Sequence, residues 1–190
     1  LTLAQVNDLY TSTGLMVTVT PNASAGTVAA GTTPQCIGAT TTYTVTGVVL
    51  GGGTGAWSSS NTSVATVNAS TGVVTAVGAG TCNIIYTVTG GCSGTKTSQA
   101  SYTVTPNNTI ALSSAAGTNA QTKCINTAIT NITYTTTGAA GAAITGLPSG
   151  VTGSWAGNVV TISGSPSVAG TYTYTVTMTG GCTGGTNTVN

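Results

Sequence analysis

The chain has 190 residues and a formal net charge of +1. Its only charged side chains are Asp8, Lys96 and Lys123, and it contains no His, Arg, Glu or Phe. General acid–base catalysis needs a group that titrates near its working pH, and Ser or Thr nucleophiles need an activating base, so the sequence reads as a non-enzyme with no catalytic residue and no cofactor. One Asp cannot build an oxygen-ligand calcium site, two lysines cannot neutralise the phosphates that give nucleic-acid affinity, and no apolar run approaches the ~20 residues of a membrane span.

In chain order, residues 1–20 end in MVTVTP, a short alternating strand stopped by Thr20-Pro21. Residues 21–105 carry TPQCIG (33–38), an alternating pair at Tyr43 and Val45, a GGGTG turn, Trp57, a NASTG turn, and a long run in which Cys82, Ile84, Tyr86 and Val88 share one face. That run closes in GGC at Cys92 and is followed by SYTVTP, again stopped by Thr-Pro. Residues 106–190 repeat the plan: QTKCIN (121–126), strands at Val160 and Ile162, turns at LPSG and SGSPS, then Tyr172, Tyr174, Val176 and Met178 alternating with Thr before GGC at Cys182. Strict period-2 alternation marks half-buried antiparallel strands, and turns every 8–12 residues mark a β-sandwich. A repeat of about 85 to 90 residues is one small β-domain long. The fold class expected is therefore all-β, two tandem sandwiches at 21–105 and 106–190. Disorder, the competing reading of a Gly/Ser/Thr-rich chain, requires low hydrophobicity and high net charge, and this chain has neither.

Residues 57–86, WSSSNTSVATVNASTGVVTAVGAGTCNIIY, resemble the bacterial immunoglobulin-like group 2 family through Trp57, SNTSVATV, the Asn-x-x-x-Gly turn ending at Gly72, and GAGT. Residues 146–176 resemble the related immunoglobulin modules with LPxG, SGSPS and AGTYTYTV. Each likeness spans about a third of its module. Thr-rich arrays with paired CIG and GGC elements are similar to long surface adhesins of Bacteroidota. The resemblance implies an immunoglobulin-like fold and an extracellular, cell-surface setting, and it supplies no catalytic residue.

Four cysteines occupy repeat-equivalent positions, which an oxidising compartment favours, and the pairing expected from the repeat is Cys36–Cys92 and Cys124–Cys182. A Zn site would need Cys-x-x-Cys or His partners, and neither occurs. Cys82 has no counterpart in the second module, and its register places it inward as a small hydrophobe. Trp57 and Trp155 are candidate glycan contacts whose ordinary alternative is core packing. Thr-x-Thr runs read as the solvent face of strands, and the Asn-x-Ser/Thr matches are chance products of the Thr content.

The first module has a strand, SYTVTP, after its GGC, whereas only eight residues follow Cys182, so the second module is expected to lack its final strand. Met16, Val17, Thr18, Val19 and Thr20 form a spare strand of matching pattern. An open sheet edge accepts an added strand. Two explanations fit: residues 1–20 complete the preceding module of a longer array, or they insert into the second module of a neighbouring copy. The function expected is a non-catalytic extracellular structural protein, a surface filament or adhesin stalk. Its partners would be copies of itself or adjacent modules, with a carbohydrate- or surface-binding array as the alternative.

Overall fold

A computed structural model gives the structure of residues 18–183 and 188–189, and the statements below concern those residues. They fold entirely into strands and turns. The first module contains β1 (Thr27–Ala29), β2 (Gln35–Cys36), β3 (Thr40–Thr42), β4 (Thr44–Thr46), β5 (Thr54–Ser59), β6 (Ala65–Val67), β7 (Val73–Ala76), β8 (Gly80–Thr89) and β9 (Lys96–Thr105). The second contains β10 (Thr109–Leu112), β11 (Ile132–Thr137), β12 (Gly141–Thr145), β13 (Val151–Ala156), β14 (Val159–Gly164), β15 (Thr175–Thr179) and β16 (Thr188–Val189).

Strand order identifies the fold. In the second module β10-β11-β14-β13 form one sheet and β12-β15-β16 the other. Lettered A to G in chain order, these are the A-B-E-D and C-F-G sheets of an immunoglobulin-like sandwich. The first module repeats the plan. β5, β8 and β9 stand for C, F and G, while β3-β7-β6 supply B-E-D. β4 continues β3 past Tyr43 and pairs with β1. β2 is added on the outer edge, parallel to β9, with Gln35 opposite Val104 and Cys36 opposite Thr105. The chain is thus all-β, two tandem immunoglobulin-like β-sandwiches.

Alternation of Thr with aliphatic and aromatic residues builds both cores. Successive strand side chains point to opposite faces, so on β11 Ile132 and Tyr134 go inward, and on β15 Val176 and Met178 do so while the threonines face out. The first core gathers Tyr43, Val74 and Ala65 from one sheet and Trp57, Ile84, Tyr102 and Val104 from the other. The second gathers Ile110, Ile132, Tyr134, Val160, Ile162, Val176 and Met178. Cys82 is buried in the first core, on the inward face read from its register. The Asn68 side-chain oxygen accepts from the backbone N–H groups of Ser70 and Thr71, and the turn closes at Gly72 with φ of 72°. A Cβ at Gly72 would lie 2.5 Å from the Tyr43 carbonyl oxygen, so only glycine fits there.

Three differences from the sequence reading stand out. Tyr172 and Tyr174 are not strand residues, because β15 begins at Thr175. The final strand of the second module is not wholly missing, since β16 pairs through Val176 with Val189 and Thr177 with Thr188. The third concerns the cysteines.

Candidate functional site

The candidate site is the pair of module ends. Cys36 is bonded to Cys182, across a sequence separation of 146, and this corrects the expected pairs Cys36–Cys92 and Cys124–Cys182. The reason is strand direction. Cys36 lies beside Thr105, where β9 ends, whereas Cys92 lies beyond the other end, past the pairing of Val88 with Lys96. The ten-residue β9 separates them by roughly 30 Å, at ~3.3 Å per residue, and a disulfide requires Cα atoms within about 7 Å. In the second module the backbone oxygen of Cys182 accepts from Asn108, at the Thr137 end of β11. The Cys124 loop is tied by Asn126 to Pro166 and by Ile129 to Gly164, at the Ile132 end. In each module the CIG- or CIN-type cysteine therefore marks one end and the GGC cysteine the other. The bond that forms spans the module junction. Cys92 and Cys124 are both exposed and unpaired.

The junction and the segment before the first module share one design. At the junction Asn108 N–H donates to the Cys182 oxygen at 2.7 Å, and Cys182 Sγ lies 3.2 Å from the Thr105 hydroxyl. Before the first module Ala23 N–H donates to the Cys92 oxygen at 2.8 Å, and Cys92 Sγ shares a hydrogen bond of 2.7 Å with the Thr20 hydroxyl. Thr18-Val19-Thr20-Pro21-Asn22 thus corresponds to Thr103-Val104-Thr105-Pro106-Asn107. Burial separates the two segments: Val104 is 2% exposed in the first core, and Val19 is 85% exposed. Of the predicted donor strand, Thr18, Val19 and Thr20 are exposed and belong to no strand, while Met16 and Val17 lie outside the described residues, as does Asp8.

At the far end of the second module lies a cavity of about 780 Å³, lined among others by Cys124, Ile132, Ile162, Val168, Tyr172 and Tyr174. Its position is that of the outer half of β9 in the first module. There Cys82 pairs with Tyr102, and Ile84 with Ala100. Counting back from the two GGC motifs, Tyr172 corresponds to Cys82 and Tyr174 to Ile84. Among the described residues no strand pairs with residues 171–174, and the cavity's lining carries exposed apolar side chains at Ile125 (53%), Val168 (53%) and Tyr172 (43%). The sequence reading expected an open edge because no SYTVTP-like strand follows Cys182, and it did not foresee the cavity beside Cys124.

The indoles do not form a surface platform. Trp57 is buried, packed edge-on against Tyr86 with ring centroids 5.0 Å apart. Trp155 is half-buried against the second core, and its Nε1–H donates to Thr136 Oγ1 at 3.0 Å. Trp57 is a core residue, which corrects its candidacy as a glycan contact, whereas Trp155 keeps part of its surface exposed. Among the described residues no group of three His, Cys, Asp or Glu side chains is placed to hold a metal ion, and no helix is long and apolar enough to cross a membrane.

Three tyrosines, Tyr43, Tyr102 and Tyr174, have their phenol pKa raised. Burial, then the charges of Tyr102 and Cys82, push the Tyr43 phenol up to about 12. Burial and the hydrogen bond to Tyr134 also raise the Tyr174 phenol. A pKa raised by folding contributes stability that is complete below the unfolded value near 10 and is lost as pH rises through the folded value. The contribution of these tyrosines to the thermal midpoint is therefore expected to be complete below about pH 10 and to be lost between about pH 10 and 12, as differential scanning calorimetry would read.

No family model matches the chain, and no curated protein is significantly similar to it. Among solved structures, a two-domain fragment of the S-layer protein SbsC (domains 5–6) is 18% identical, covering 85% of this chain and 91% of that one, with a TM-score of 0.28. Titin domains Z1Z2 in complex with telethonin are 16% identical over 86% of this chain and 93% of that one, with a TM-score of 0.32. The chain spans only 21% of the longer S-layer protein structure, rSbsC(31-844), at 19% identity over 73% of this chain and a TM-score of 0.31. Strand order, rather than these likenesses, identifies the fold.

Proposed function

We propose that this is a non-catalytic extracellular structural protein of the bacterial immunoglobulin-like type, whose modules join head to tail by strand complementation into a surface filament or stalk. The observation that carries the reading is the contrast in burial between Val19 and Val104, together with the cavity beside Tyr172 and Tyr174. Val19 is 85% exposed where its counterpart Val104 is a core residue, and beyond β16 an open cavity stands where the outer half of a β9-like strand would pack. A strand of matching pattern seated there would bury apolar surface and satisfy backbone groups in one step. Such an interface is heterologous, and heterologous contacts that do not close give open polymers. The Cys36–Cys182 bond is of the kind that persists in oxidising, extracellular settings.

The test is assembly of the purified chain under reducing conditions, where no new disulfide forms. Sedimentation velocity is expected to show open-ended association rising with concentration, and electron microscopy threads with an axial repeat of roughly 70–80 Å, two module lengths. Val19→Asp should abolish both. A chain that stays monomeric at all concentrations, or stops at a closed dimer, overturns the reading.

A further inference from the structure

We propose that Cys92 of one copy of this chain and Cys124 of the next are the two halves of an intermolecular disulfide that staples each head-to-tail joint. The internal junction supplies the pattern. There the CIG cysteine of the first module, Cys36, runs parallel to Thr105 and bonds the GGC cysteine of the second, Cys182, which forms an isolated bridge with Asn107. Shifting by one module leaves two cysteines unused, and they have the same two identities. Cys124 belongs to the CIN element at the outgoing end, lining the cavity, and Cys92 belongs to the GGC element at the incoming end. Cys92 Sγ already rests on the Thr20 hydroxyl, as Cys182 Sγ lies beside Thr105. If Thr18–Thr20 takes the place of the last residues of β9, Thr103–Thr105, in a neighbour's second module beyond β16, Cys124 comes alongside Thr20 as Cys36 does alongside Thr105. The two sulfurs then meet. This orientation rests on the strand-complementation reading; the occupant of the joint is a second copy of this chain.

The two cysteines cannot satisfy each other within one copy, because they mark the outermost ends of successive sandwiches. Bond formation needs an oxidant of the disulfide class. A thiolate attacks R–S–S–R and releases R–S⁻, and the second thiolate then displaces the other R–S⁻ from the mixed disulfide. In sum, two thiols and one R–S–S–R give the Cys92–Cys124 bond and two R–SH, the electron pair passing to the R–S groups with the two protons.

The experiment treats the purified chain with oxidised glutathione and reads non-reducing electrophoresis and disulfide peptide mapping. The expected result is a ladder in steps of 18.2 kDa, with Cys92–Cys124 as the intermolecular cross-link and Cys36–Cys182 retained in every rung. Cys92→Ser or Cys124→Ser alone should give monomer, whereas mixing the two variants should give dimer and stop there. Both positions are exposed, so neither serine disturbs a core. Symmetric Cys92–Cys92 or Cys124–Cys124 dimers, or an absence of cross-linking, overturn the proposal. The Cys92→Ser/Cys124→Ser double variant separates the two ideas. If it still associates in sedimentation while the wild type forms no Cys92–Cys124 bond, complementation stands and the staple falls. If Val19→Asp leaves the ladder yield unchanged instead of cutting it at least about tenfold, as loss of a buried valine would, the staple stands without the strand.

Discussion

The Cys36→Ser variant is expected to lose about 2–5 kcal/mol of stability against guanidinium, the range set by the chain-entropy model for large closed loops and by measured disulfide removals. The bond closes a loop with a sequence separation of 146, containing most of both sandwiches. The upper figure applies if both modules unfold together, since only then is the whole loop released. If one module unfolds alone, the other still holds part of the loop and the loss is smaller. A single denaturation transition in the wild type that splits into two in the variant would show that the cross-link couples the modules. An unchanged midpoint, with Cys36–Cys182 confirmed by peptide mapping in the wild type, would show that it does not.

The second large effect concerns β9, whose outer half has no counterpart among the described residues of the second module. Tyr102→Ala is expected to cost about 3–5 kcal/mol, as for other buried aromatic truncations. Tyr102 is fully buried on β9, edge-on to Tyr43 with centroids 6.0 Å apart. Tyr102→Phe isolates the origin of that loss. The Tyr102 hydroxyl is buried without a hydrogen-bond partner, so removing it should be neutral or slightly stabilising. Tyr43 differs because its hydroxyl donates to the Ser101 carbonyl at 2.7 Å, and Tyr43→Phe should cost about 1 kcal/mol. Chemical denaturation of the three variants distinguishes packing from hydrogen bonding on this one strand.

Strand content and inward faces were legible because alternation is a local property. Val160, Ile162, Val176 and Met178 face inward as their register requires, and so does Cys82. Alternation could not show whether a partner strand exists, and so Tyr172, patterned as a core residue, is 43% exposed. Cysteine connectivity was illegible for a related reason. Equivalent spacing in two repeats is the same whether each pair closes within its module or each cysteine bonds across a junction; only the placement of Cys36 and Cys92 at opposite ends of β9 decides it. Trp57 and Trp155 sit beside turns in sequence, and pairing of Trp57 with Tyr86 across β5 and β8 is what turns the first indole inward.

Tension applied from the two flanks would enter at Cys36 and leave at Cys182, bypassing the polypeptide between them. That shielded stretch, 146 positions along the backbone, represents on the order of 500 Å of hidden length at ~3.5 Å per residue. Under load the oxidised molecule would behave as a stiff link, and a reductant would turn it into a long extensible spring.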